Sequence, residues 1–97
     1  MQFSQHIVFT ADDESAVRDV LDAWSQEGAG TATGYVGARL MRFRDKPGRY
    51  VLQADFESFA AAEANNSRPE TQSWSDRFLA LVDGEPKYEN LDVLAVY

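Results

Sequence analysis

GYVGARLMRFRDKPGRYVLQADFES, residues Gly34 to Ser58, decides the fold. Side chains alternate in character through Tyr35–Arg44 and again through Arg49–Phe56, the period-2 signature of strands with one buried face. Between them Pro47 and Gly48 suit the central positions of a type II turn, proline because its φ is preset and glycine because the second position needs a positive φ. The stretch therefore reads as a β-hairpin. It also concentrates charge: Arg39, Arg42, Arg44, Lys46 and Arg49 are five of the 9 basic residues in a chain of formal net charge -7. Strand geometry sends Arg42 and Arg44 to one face and Arg39 to the other, with Lys46 and Arg49 at the turn, so the cations do not form one patch. Arg42, Arg44, Lys46 and Arg49 read as solvation of the hairpin end or as partners of carboxylates. Arg39 is expected on the helix-facing side among Tyr35, Met41 and Phe43, where a guanidinium needs a partner or a polar cavity.

Outward from the hairpin, Phe3–Thr10 alternates as a first strand. The acidic run Asp12, Asp13 and Glu14 then precedes Val17, Val20, Leu21 and Trp24, spaced i, i+3, i+4 and i+7, which predicts a helix from about Asp13 to Glu27 with acidic side chains at its positive end. Gly28 and Gly30 are expected to end it. Beyond the hairpin a second helical region begins near Ser58 and breaks at NNSRPE. Ser67 and Glu70 have capping-box spacing there, and Pro69 fits the first turn of a new helix with Trp74, Phe78, Leu81 and Val82 as its buried stripe. A last strand carries Leu91, Val93, Ala95 and Tyr97 on one parity. The order is β-α-β-β-α-β, an α+β, ferredoxin-like arrangement of one antiparallel sheet with helices on one face, within a single domain spanning residues 1–97.

A monomer of this kind should show water a polar second sheet face. Here that face is expected to carry Val8, Val36, Leu40, Val51, Leu94 and Val96, mixed with His6, Gln53 and Asp55. Such an apolar surface predicts a homodimer packed through the sheet faces. His6 on that face reads more simply as a satisfied histidine than as a base. A chain of 97 residues, which buries roughly 60–65% of its unfolded surface, gains from such a partner.

Composition removes several functions. With no cysteine there are no disulfides, thiolate nucleophiles or iron–sulfur clusters. A sequence pI near 4.5 argues against nucleic-acid and anionic-membrane partners. The N-terminus MQFSQHIVFT has neither a basic leader nor an apolar span, so the expected location is the cytoplasm. No nucleotide-binding loop, Ser-His-Asp set or metal-ligand cluster occurs, and helix capping accounts for Asp12 to Glu14.

Gly34–Ser58 together with SRPETQSWSDRFLALVDGEPKYENLDV, residues Ser67 to Val93, resembles the dimeric α/β barrel superfamily, and within it the antibiotic biosynthesis monooxygenase-like family, along essentially the whole chain. The resemblance implies two protomers joined into a dimeric α/β barrel and a ligand held between sheet and helices. Heme-degrading members match at Gln5, Asn65 and Ser75 where they use Asn, Trp and His. The only histidine, His6, is on a strand and cannot supply their helical iron ligand, so heme degradation is not expected. Members that oxygenate aromatic polyketide intermediates use no metal or prosthetic group. That kinship implies a cofactor-independent monooxygenase acting on a small quinol or anthrone-type aromatic, with Arg39 and Asn65 as catalytic polar groups, Gln5 as a further polar contact, and Trp24, Trp74, Phe78 and Tyr97 as pocket walls. The alternative is a non-catalytic dimeric module that binds a hydrophobic small molecule or is purely structural. In that case Trp74 and Phe78 are plain core, Asn65 caps a helix, and Gln5 bonds Arg39.

Overall fold

The computed structural model describes residues 1–28 and 32–97. The elements are β1 (Phe3–Thr10), α1 (Glu14–Ala23) running into a π-helical turn (Trp24–Gly28), β2 (Tyr35–Arg42), β3 (Arg49–Phe56), α2 (Phe59–Asn66), α3 (Pro69–Leu79) and β4 (Lys87–Asp92). They form a four-stranded sheet in the order β2-β3-β1-β4, with every pairing antiparallel. This is the ferredoxin-like α+β fold expected from the element order.

Local chemistry accounts for most boundaries. Asp13 caps α1, its carboxylate accepting from the Ala16 amide at 3.0 Å, and Ser58 caps α2 through the Ala61 amide at 3.1 Å. The hairpin closes as its turn residues require: Gly48 has φ +82°, and the Arg49 amide donates to the Lys46 carbonyl at 3.1 Å. Val17, Leu21 and Trp24 of the first helix, with Thr71, Trp74 and Phe78 of α3, are buried against Phe3, Ile7, Phe9, Tyr50, Leu52, Ala54 and Phe56 of the sheet.

Several expectations are corrected. The first helix changes pitch at Trp24 and ends as a π-helical turn; Gly30 lies outside the described residues. Ser67 and Glu70 form no capping box: the Ser67 hydroxyl donates to the Glu63 carbonyl at the end of α2, and Glu70 pairs with Arg68 at 3.1 Å. The last strand stops at Asp92, leaving Leu94, Val96 and Tyr97 exposed beyond it.

The largest correction concerns β2. A bulge between Tyr35 and Gly37 shifts the register, so that Tyr35 lies opposite Phe56 but Ala38, Leu40 and Arg42 lie opposite Ala54, Leu52 and Tyr50. One extra residue in a strand exchanges the faces of all that follow. Leu40 and Arg42 therefore share the helix-facing side with the buried Tyr50 and Leu52. Arg39 and Met41, opposite Gln53 and Val51, are on the open face. Leu91 is on the open face too, opposite Ser4. Across that face run an apolar row, Met41–Val51–Val8, and a polar row, Arg39–Gln53–His6–Glu89. Of the side chains expected there, Val8 and Val51 remain with His6, Gln53 and Asp55, while Leu40 turns inward and packs against the core.

Candidate functional site

A cavity of about 540 Å³ opens between α1 and the β2–β3 hairpin. Its sheet side is built by Tyr35, Ala38, Leu40, Tyr50 and Leu52, and its helix side by Glu14, Arg18, Leu21, Trp24 and Ser25. The helix side follows from spacing, since positions 14, 18, 21 and 25 recur at i, i+4, i+7 and i+11 and lie along one helix face.

Glu14 is the hub of the charged end. One carboxylate oxygen accepts from Arg42 at 2.9 Å and from the Tyr50 hydroxyl at 3.4 Å; the other lies 3.8 Å from Arg18. Arg18 and Arg42 keep most of their side chains in water, so these pairs orient the rim more than they stabilise the fold. Tyr50 itself is buried. Burial, reinforced by the neighbouring Glu14 carboxylate, raises its phenol above the usual tyrosine range. Tyr50 is thus a hydrogen-bond donor at neutral pH and not a base. Burial likewise raises Tyr35, with Asp55 adding to the effect.

The residues singled out from the sequence do not converge. Trp24, half of an edge-to-face pair with Tyr35 at 5.8 Å, lines the cavity. Arg39 borders it as well, although it is exposed and its strand position faces the other way. Trp74 is buried, stacked on Phe78 at 5.1 Å and tilted against Trp24 at 5.1 Å. Phe78 is 1% exposed and abuts Phe9 at 4.9 Å. These two rings fill the space between α3 and the sheet, so Phe78 is core and not a pocket wall. Asn65 is buried within α2, where its side-chain oxygen accepts from the Thr71 hydroxyl at 3.2 Å, tying α2 to α3 away from the cavity. It is neither a cap nor a neighbour of Arg39. Gln5 donates across to Asn90 at 3.2 Å and is not bonded to Arg39, and Tyr97 projects into solvent.

Glu14, Arg18, Tyr35, Arg42 and Tyr50 are site residues that sequence reasoning missed. The i, i+4 pair Glu14–Arg18 beside Leu21 was a legible signal, which capping had absorbed. The inward turn of Arg42 required the bulge.

No family model and no curated protein matches this sequence. Solved structures do. A variant of SnoaB, a cofactor-independent oxygenase from Streptomyces nogalater, superposes with a TM-score of 0.86 at 18% identity, covering 98% of this chain and 95% of that one. A candidate antibiotic biosynthesis monooxygenase from Caulobacter crescentus gives 0.85 at 14% identity, covering 97% and 91%. Rv0793 from Mycobacterium tuberculosis gives 0.82 at 19%, covering 99% and 98%. The chain has the fold of the antibiotic biosynthesis monooxygenase-like structures, over almost its whole length, as the sequence resemblance implied. No helix among the described residues is long and apolar enough to cross a membrane.

Proposed function

We propose that the protein is a cofactor-independent oxygenase that takes a small phenolic or anthrone-type aromatic into the cavity between α1 and the hairpin. The observation that carries this reading is the cavity itself: about 540 Å³, within the range of small-molecule sites, with Trp24, Tyr35 and Tyr50 on its walls and three arginines, Arg18, Arg39 and Arg42, at its border. Arg18 and Arg42 are engaged by Glu14, whereas Arg39 makes no ion pair among the described residues. A guanidinium beside a bound phenol favours the phenolate. The deprotonated ring then reacts with oxygen directly: the reacting carbon loses hydrogen, the O–O bond breaks, one oxygen stays as the new carbonyl and the other leaves as water. The shared fold of SnoaB supports the same reading.

The test is quinone formation in air from anthrone-type and phenolic substrates by metal-stripped protein. Arg39→Met keeps much of the stem and loses the charge; the expected loss is about three- to tenfold, modest because water reaches the guanidinium. Equal rates for wild type, variant and a protein-free control would end the oxygenase reading. The second reading, a binding module without catalysis, is favoured by the packing of Asn65, Trp74 and Phe78 into the core, and it requires dialysis to show binding where no turnover occurs.

The protein is further read as a homodimer joined through open sheet faces. Supporting this are the Met41–Val51–Val8 row, with Met41 39% exposed, and the apolar residues after β4, Leu94 and Val96, each 84% exposed. Light scattering at micromolar concentration should give twice the chain mass of 10.9 kDa. Val51→Glu, a charge in the middle of that row, should halve the mass and leave the helical signal unchanged. An intact dimer would show that another surface is used.

A further inference from the structure

Oxygenation of a phenol begins with loss of the phenol proton, and a guanidinium that favours the phenolate cannot itself take that proton. The cavity between α1 and the hairpin offers few groups that can. Tyr35 and Tyr50 hold their protons at neutral pH, burial raising both above the usual tyrosine range. Arg18, Arg39 and Arg42 have no acceptor atom. Two carboxylates remain in the lining, Glu14 and Asp22. Asp22 is exposed and makes no hydrogen bond or ion pair among the described residues. Glu14 is fixed through one oxygen and open at the other. Its Oε1 accepts from Arg42 at 2.9 Å and from the Tyr50 hydroxyl at 3.4 Å. Its Oε2 is 3.8 Å from the Arg18 guanidinium, beyond hydrogen-bonding reach, and accepts no hydrogen bond among the described residues. A carboxylate oxygen without a donor, on a group whose other oxygen has two, is placed to receive one from a ligand.

We infer that Glu14 is the general base of the oxygenation and receives the substrate's phenol or enol proton on Oε2. This inference rests on the oxygenase reading of the cavity and adds to it the residue that starts the reaction. The O–H bond breaks, its proton passes to Oε2, and its electron pair stays on the ring oxygen. Arg18, beside Oε2, is then next to the new phenolate, where its charge stabilises the anion. Arg42 and Tyr50 hold the carboxylate in place through its other oxygen. After molecular oxygen has reacted with the ring, Glu14 returns the proton to the oxygen atom that leaves as water and is a carboxylate again.

Initial rates of the full chain in air on two substrates test this: a dihydroxyanthrone that is un-ionised at neutral pH, and a nitro-substituted analogue that is already ionised there. Glu14→Gln keeps an acceptor for Arg42 and Tyr50 but loses the base. On the un-ionised substrate it should lower kcat/KM by about 100-fold, and the rate should recover by about tenfold per pH unit as hydroxide replaces the missing carboxylate. On the ionised substrate, which has no proton to lose, the deficit should stay below about threefold. Glu14→Ala should regain rate in proportion to added acetate, and it decides the question where Glu14→Gln does not fold. Equal losses on the two substrates, or none on the un-ionised one, overturn Glu14 as the base and leave the oxygenase reading standing. No turnover of either substrate by the wild type removes that reading, and the base with it.

Discussion

Phe78→Ala should destabilise the protein by about 3–5 kcal/mol, the usual cost of removing a buried phenyl ring and leaving its cavity. Phe78 is 1% exposed, edge-on to Phe9 at 4.9 Å and stacked on Trp74 at 5.1 Å, so its ring joins α3 to the central strand β1. Neighbouring aromatic rings are too stiff to close the gap, which places the expected value in the upper part of that range. For a domain of this size each kcal/mol lowers Tm by about 4–8 °C. Urea denaturation measures it: the midpoint should fall steeply at an unchanged slope. A loss below about 1 kcal/mol would mean that Phe78 is a replaceable pocket wall, reversing its assignment to the core.

Gly34→Ala is the second large effect. Gly34 has φ +84°, and a Cβ placed there would lie 2.7 Å from the Ala61 Cβ, close enough that backbone must move. The approach is fixed by the Glu57 amide, which donates to the Gly34 carbonyl at 2.7 Å and holds the start of β2 against the β3–α2 junction. The left-handed conformation costs a non-glycine residue about 1–2 kcal/mol, and the crowding adds about 1–3 kcal/mol. Gly84→Ala is the control: φ is +72°, yet nothing stands within 4 Å of its added Cβ, so only the conformational cost applies. The difference between the two variants, read by thermal or urea melts, should exceed about 1 kcal/mol in the sense that Gly34→Ala is worse. Equal losses would show that the loop before β2 gives way and the contact with Ala61 is dispensable.

The site was less legible than the fold, and β2 shows why. Period-2 alternation finds a strand, but it assigns faces by counting along the chain, and a bulge breaks the count at Val36. Gly37, a glycine inside the strand pattern, was a signal of the bulge that the alternation count passed over. Arg39 and Leu40 were consequently given each other's faces, the charged group inside and the aliphatic one at the interface, when the register places them the other way. Arg42, expected on the opposite face, lies on the helix side, and its reading as a partner of carboxylates holds in its pair with Glu14 at 2.9 Å. Asn65 failed differently. Its neighbourhood suggested a helix end, while its partner, Thr71, is on another helix, and side-chain pairs between elements leave no local trace.

By itself the sequence determined the order of elements, the antiparallel hairpin with its Pro47–Gly48 turn, the acidic start of the first helix at Asp13, and the buried stripe through Trp74 and Phe78. Each of these is governed by interactions within a few residues: φ preference at a turn, a side chain reaching the first free amides of a helix, apolar spacing at the period of the backbone. Only the tertiary structure decided which face of β2 meets the helices, where the last strand ends, and that Glu14, Arg18, Arg42 and Tyr50 share one cavity. Those outcomes depend on inter-strand register and on helix–sheet packing, which are settled between elements far apart in the chain, where a displacement of one residue leaves local propensity untouched and inverts every side chain.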